Sequence, residues 1–543
     1  MSTDIKFNIK ILSPGSAKLK FIAPTSINTG SVNSISYFKL HCLKAPAYLL
    51  RRLFIIIIIY LTLPPQINFS QDRQYWDQAI GGRAALLGGL VVGGIRDYSA
   101  TWYNPGALGF LEKDHLNFSF SSYGIKYFAF KHGSGLDPDP SYTRVSLYPT
   151  SLAGGIPFLS DSTNRFSYII LGNGYSYVRT SARYEGYLDV IPSRPCSNTI
   201  NQEVFVGNEF LINQGIFHSS LQEVTFGLGW GRKISDNISI GATLLGAYRN
   251  QTKLRDEKYY ALDTLSQKMT SSSIYSDIDY YAIRVFGKIG IAAEWDDIKL
   301  GAAITLPSIH VHSGAIDGAS FTSTNYIAVV DSVSGAINEL DVLGSDRQED
   351  LMAKYRSTFS VAFGLEYDLT QNTKLNFTSE WFSPLKRYVV IQPKSDNFFR
   401  NLPLEVSFFN SEEYLKVYDS YRSVINFGLA VEHKISDIFT GYAAVRTDFS
   451  NAVFEDINGF HLGFTDIDIY HITVGASTII DNSFIGVGVE YSFGNNPDFE
   501  QIFNFPSGTA SFDEFFLIRD KLNAEAVYKN INVFLGITQL LGD

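Results

Sequence analysis

Histidines and charged residues set among small ones are where this chain could do chemistry. His310 and His312 stand two apart, a spacing that puts both imidazoles on one side of an extended segment as metal ligands. No further His or Cys follows nearby, so the reading is that no metal is held. His433 and His471 fall on predicted strands, where a barrel phospholipase or deacylase would need a serine beside one of them. Neither carries a recognisable nucleophile motif, so no catalytic residue is assigned and the chain reads as no enzyme. The run Gly88-Gly89 to Gly93-Gly94 is not a phosphate loop, since no Lys-Ser or Lys-Thr follows Gly94 and no G-x-G-x-x-G occurs. No cofactor is implied.

The remaining charged group is Glu294, Glu366, Glu380, Glu432, Arg446 and Glu490. Each sits in register with the small residues of a run that alternates apolar with small or polar side chains. Alternation is strand periodicity. Its clearest case is Val224, Phe226, Leu228 and Trp230 against Thr225, Gly227, Gly229 and Gly231, followed by the turn Lys233–Asn237 and then by Ile238, Ile240, Ala242 and Leu244. Short turns with Asp, Asn or Ser recur at 160–164, 233–237, 295–297, 368–372, 434–437 and 480–483, as tight connections require. Between them lie longer polar stretches, 183–220, 250–279, 308–355 and 384–421, which read as long loops. These hairpins, a strand from Leu116 and one over Ala526–Leu540 add up to about 14 antiparallel strands. Short turns at one end, long connections at the other and an even count are the pattern of an outer-membrane β-barrel, with apolar faces of about 9–11 residues per strand. The charged group then points into the lumen, as structural ion pairs rather than ligand contacts.

Composition agrees. Of 543 residues 14% are aromatic, with 41 Phe, 32 Tyr and 44 Gly, which suits interfacial girdles and a crowded barrel interior. The net charge of −10 is spread thinly, with no basic run for nucleic acid. Cys42 and Cys196 are not expected to pair, because Cys42 precedes a segment expected to be removed. Lys44, Arg51 and Arg52 followed by the apolar run 53–63 read as a secretory signal peptide, the run being too short for a membrane helix of about 20 residues. Cleavage is expected near Ser70 or Gln71, so residues 1–71 are an upstream extension plus signal peptide. With Met1, Met269 and Met352 the only methionines, translation is expected to begin at a non-AUG codon near Leu40 or Leu43.

Residues 81–110, GGRAALLGGLVVGGIRDYSATWYNPGALGF, carry no such alternation. The small-residue run, the step Asp97-Tyr98-Ser99-Ala100 and Tyr103-Asn104-Pro105-Gly106-Ala107-Leu108 resemble the N-terminal hatch of the FadL/TodX family of outer-membrane transporters for hydrophobic compounds. Hairpins 290–307 and 360–381 also look like family strand pairs. Gly106 stands where the family usually has Ala, and the chain ends Leu540-Leu541-Gly542-Asp543 rather than on an aromatic. The resemblance implies a hatch or plug over residues 72–112 inside a barrel of 113–543, in the outer membrane of a Gram-negative bacterium. It further implies passive uptake of long-chain fatty acids or similar compounds, with exit sideways through a wall gap or past a moved plug. Gly88, Gly89, Gly93, Gly94, Asp97, Asn104, Pro105 and Gly106 are the implied gating motif; ligand residues are not assigned. Expected partners are a hydrophobic small molecule, outer-membrane lipid and the barrel assembly machinery, with no nucleic acid and a monomeric state. The alternative is a FadL-like barrel serving secretion or attachment, as PorV-type proteins do in type IX secretion.

Overall fold

In a computed structural model of the chain, the described residues are 73–112, 115–134, 139–188, 209–262, 264, 269–330, 337–399, 410–453, 460–480, 483–503, 505 and 523–540. The expected signal peptide, the upstream extension and both cysteines lie outside them. The strands are β1 (His115–Lys131), β2 (Ser141–Gly155), β3 (Asn164–Leu188), β4 (Glu209–Lys233), β5 (Ile238–Leu262), β6 (Met269–Glu294), β7 (Ile298–Thr305), β8 (Ile309–Val330), β9 (Ile337–Leu351) and β10 (Ser360–Thr370). They continue with β11 (Thr373–Phe382), β12 (Leu385–Ile391), β13 (Val417–Tyr421), β14 (Val424–Lys434), β15 (Phe439–Asp448), β16 (Phe460–His461), β17 (Ile469–Ile480), β18 (Ser483–Glu500) and β19 (Asn523–Leu540). Helical turns are few: α1 (Gly82–Leu86), α2 (Ala100–Tyr103), the 3₁₀ turns Pro105–Phe110 and Pro157–Leu159, and α3 (Ser411–Tyr414).

Fourteen of the strands close on themselves, β1 to β7 followed by β10, β11, β14, β15, β17, β18 and β19, which returns to β1. Closure leaves no unpaired edge, the condition for a sheet in lipid. Five of the six short turns and the strand count of the sequence reading are found; residues 481–482 of the sixth lie outside the described residues, between the paired Ile480 and Ser483. Along β4 the small residues point in and the large ones out: Thr225 is fully buried, whereas Phe226 and Leu228 are each 47% exposed. The same holds on β5, β6, β14 and β17, where Leu244, Ile289, Phe427 and Val474 face outward. This apolar outer surface is what a bilayer covers.

The long polar stretches are corrected. Residues 183–188 and 209–220 are the far ends of β3 and β4, 250–279 is for the most part the far halves of β5 and β6, and 308–355 is largely the hairpin β8–β9; residues 189–208 lie outside the described residues. β3, β4 and β5 are 25 residues long, not 9–11. The reason is that the ladder of backbone hydrogen bonds continues past the point where lipid ends. Beyond it both faces can be polar, and the alternation that marks a strand in sequence vanishes. Stretch 384–421 holds β12 and β13, which with β16 make a small second sheet, and α3.

Two interruptions shape the wall. β6 pairs with β7 over Lys288–Glu294 and with β8 over Ser271–Val285, the step falling at Leu306-Pro307-Ser308. Proline cannot donate to a ladder. Likewise β2 pairs with β3 only from Ser151↔Leu171 to Gly155↔Ser167. Above Pro149 the rest of β2 pairs with β1 alone, and β3 continues with β4. Side chains, not backbone, span that opening: Arg144 lies over the Tyr177 ring at 4.6 Å and Tyr142 meets it at 5.7 Å.

Candidate functional site

Residues 73–111 lie inside the ring. Leu86, Leu87, Tyr98, Ala100, Asn104 and Leu108 are fully buried, packed on inward positions of the wall. No intact strand could fill this space, since the segment must turn repeatedly. Gly88 (φ 61°) and Gly89 (φ 79°) take the left-handed conformation that glycine adopts without cost. Gly93 needs its missing side chain for another reason: a Cβ there would stand 2.7 Å from the Gly364 backbone of β10. Gly94 lies against Glu366, and its carbonyl accepts from Arg83 Nη1 at 2.8 Å.

Asp97 closes the turn before α2, its carboxylate accepting from the Ser99 amide at 2.9 Å and from the Ser99 hydroxyl. Asn104 does most. Its amide donates to Val92 O at 2.9 Å and to Ile291 O of β6 at 3.0 Å, while its oxygen accepts from Gly106 N at 3.0 Å. One side chain thereby ties two parts of the segment to the wall and starts the 3₁₀ turn, whose first residue is Pro105. Gly106 presses on β6: a Cβ would sit 2.7 Å from Ile291 C. Asn104, Pro105 and Gly106 thus meet β6, Gly93 and Gly94 meet β10, and Asp97 bonds within its own turn.

The lumenal charges meet that unit rather than each other alone. Arg83 donates from Nε to Glu432 at 2.8 Å and from Nη2 to Glu366 at 2.8 Å. Arg96 reaches Glu294 at 3.1 Å and Glu366 at 3.2 Å, and Lys299 also binds Glu366, at 2.8 Å. Arg446 pairs with Glu490 at 2.8 Å and donates to the Trp76 carbonyl. Asp448 accepts from the amides of Tyr75 and Trp76 at 3.2 and 3.1 Å. Farther along, Arg73 forms a fully buried pair with Asp419 of β13 at 2.6 Å.

A cavity of about 250 Å³ remains between the segment and the wall. Gly88 and Gly89 line it; the other hatch glycines do not. Its aromatic lining includes Tyr75, Trp76, Trp102 and Tyr355, and its charged lining includes Glu223, Arg249, Arg284 and Lys288. The sequence reading missed these four charged residues. They share the inward parity of Thr225, so the alternation that placed Glu366 in the lumen could have placed them too. A second cavity of about 20 Å³, lined by Ala79, Ser119 and Thr150, is separated from the first by Gln78, which lines both.

The four histidines singled out by the sequence lie apart from the cavity. His312 Nε2 lies 3.2 Å from Tyr281 Oη, His433 Nδ1 lies 3.0 Å from Thr373 Oγ1, and His310 is opposite Arg284 in register. Among the described residues no group of three or more metal-capable side chains occurs. His471 has a hydroxyl partner the sequence did not suggest, Ser492 Oγ at 2.8 Å, with Asp448 Oδ2 3.9 Å from the other ring nitrogen. All three are fully or almost fully buried beside the Arg446–Glu490 pair, so the arrangement braces the wall.

No family model and no curated protein matches the chain. Among solved structures it is similar to a Pseudomonas aeruginosa FadL homologue, with 12% identity, a TM-score of 0.49 and coverage of 88% of this chain and 100% of that one. It is also similar to the Ralstonia pickettii toluene transporter TbuX, with 14% identity, a TM-score of 0.48 and coverage of 86% and 99%. For the P. putida toluene transporter TodX the values are 11%, 0.48, 88% and 100%.

Proposed function

We propose that this chain is a Gram-negative outer-membrane channel for passive uptake of hydrophobic compounds, long-chain fatty acids among them. On this reading residues 1–71 are an upstream extension plus signal peptide, 72–112 a gating plug, and 113–543 the barrel. One observation carries it: an outwardly apolar, closed barrel whose lumen is filled by its own N-terminal segment, leaving a cavity lined by that segment. A structural filler would pack without a void. An apolar solute needs such a path because the sugar layer outside the bilayer desolvates nothing for it, whereas a protein can.

The segment is the gate and the interrupted ladder between β2 and β3 is the exit. Gln78 stands between the main cavity and the smaller one at Thr150, next to the point where that ladder begins. Displacing Gln78 joins the two and leads toward lipid.

The test is uptake of a labelled fatty acid or toluene by a host lacking its own outer-membrane route. Uptake that falls on replacing Asn104 and Pro105 together by Ala supports a gated plug. In a Cys196→Ser background, cross-linking Tyr142→Cys to Tyr177→Cys with a bis-maleimide should block uptake through the β2–β3 opening. No uptake from a folded barrel would remove the transport reading and favour the secretion role.

A further inference from the structure

The cavity is small and cationic. Its 250 Å³ lie just below the range of drug-sized sites, about 300–1,000 Å³. Five basic side chains line it, Arg249, Arg284, Lys288, Arg356 and Arg446, against the carboxylates of Asp77, Glu223 and Glu380.

Several of those cations have spare donors. Glu223 is shared between Arg284 at 2.6 Å and Arg249 at 3.6 Å, so one carboxylate serves two guanidiniums. Arg284 Nε is buried without a hydrogen-bond partner. The Lys288 ammonium, 8% exposed, donates to the Trp102 carbonyl at 2.7 Å and lies 5.1 Å from the Trp102 ring, leaving protons for a ligand. Among the described residues Arg356 has no carboxylate partner and only stacks over Tyr388, 5.1 Å away. A carboxylate would pair with these donors, which a neutral hydrocarbon leaves unpaired.

The apolar part of the lining is aromatic. Tyr75 stacks on Phe382 at 3.9 Å with the rings 9° apart, and Tyr355 covers the Arg249 guanidinium at 3.9 Å. Flat rings with spare cations between them match a flat ligand that carries one negative charge.

We infer that this cavity is a binding site for a compact aromatic carboxylate, its ring against Trp102 and Tyr355 and its carboxylate on Lys288 and Arg284. The inference rests on the transport reading only in taking the cavity's occupant to come from outside. It deepens that reading by naming the compounds this cavity holds most tightly, small aryl acids.

The experiment is equilibrium dialysis of the full folded barrel in detergent, blanked with empty micelles, using labelled 2-naphthoate, naphthalene and palmitate. Saturable 2-naphthoate binding is expected, with Lys288→Met weakening it by about tenfold or more and leaving naphthalene within about twofold. Arg356→Gln, whose side chain breaks no ion pair, is the second variant and should weaken 2-naphthoate alone by a few-fold. Naphthalene binding as tightly as 2-naphthoate, palmitate displacing it at lower concentration, or equal loss of both ring compounds in Lys288→Met would overturn the inference. Binding without uptake in the host assay would remove the transport reading and leave the site standing. Uptake of toluene without 2-naphthoate binding would do the reverse.

Discussion

On β10, β14 and β15 charged residues that meet the N-terminal segment are Glu366, Glu432 and Arg446, the last held by Glu490 of β18, whereas on β4 to β7 the segment meets Gly231, Gly241, Gly290 and Gly301. The first side grips by charge. The second grips mainly by contact, with Pro105 O lying where a Gly241 Cβ would be and Val92 O where a Gly301 Cβ would be, alongside the Glu294 pair with Arg96 and the Lys288 donation to the Trp102 carbonyl. The strands differ in height as well: β10, β11, β14, β15 and β17 have 10 to 12 residues and β18 has 18, against 25 or 26 in β4, β5 and β6, with β7 short at 8. A charge grip can be loosened by changing one group, while a contact grip releases only if backbone moves. The comparison therefore teaches that if the plug shifts, it hinges on the glycine side and opens from the ionic side.

Breaking the ionic side should have the largest effect. Glu366→Gln leaves Arg83, Arg96 and Lys299 short of their shared carboxylate. A loss of about 3 kcal/mol is expected, the low end for a broken buried pair, because Arg83, Lys299 and Arg96 keep part of their surface exposed. Urea unfolding in detergent and tryptic cleavage at Arg83 would both show it. On the glycine side Gly301→Val places a Cβ 1.9 Å from Val92 O and should cost about 1–3 kcal/mol by overpacking. Its unfolding midpoint should drop without new cleavage at Arg83; cleavage there equal to that of Glu366→Gln would erase the distinction between the two sides.

A pH effect sharpens the contrast in height. Asp317 on β8 is fully buried opposite Ile278 of β6, sixteen residues along β6 from its turn end at Glu294 and so beyond the band that lipid covers. Burial, with Asp277 and Asp346 nearby, pushes its carboxyl up to about 8. The fold then holds a proton that the unfolded chain has lost, so stability of the β8–β9 hairpin is full at low pH and falls as pH rises toward about 8. Proteolytic nicking of that hairpin should rise by about tenfold or more between pH 5 and pH 9, and Asp317→Asn should flatten the profile. The short wall should show no such change. Smallest of all, Lys131→Ala breaks an exposed 2.9 Å pair with Glu525 and should shift unfolding by about 1 kcal/mol or less.

Much of this molecule could be read without coordinates. The alternation around Phe226, the six Asp-, Asn- and Ser-bearing turns and the inward parity of Glu366 and Glu490 are local properties of the chain, and local periodicity decides which face of a strand meets lipid. The stretch around Asn104-Pro105-Gly106 was legible as well, because glycine and proline announce where backbone must turn or pass closely. Three things were decided by tertiary structure alone. The far halves of β3 to β6 are strands because neighbours supply their hydrogen bonds, and with water on the outer face no pattern records it. The pairing of Arg83 with Glu366 and Glu432 joins positions about 280 and 350 apart in sequence, a contact that only barrel closure creates. The cavity, finally, has no sequence of its own: Trp76, Trp102, Lys288 and Tyr355 share it because a segment that is not a strand was threaded through a ring of strands, and the space left over belongs to neither.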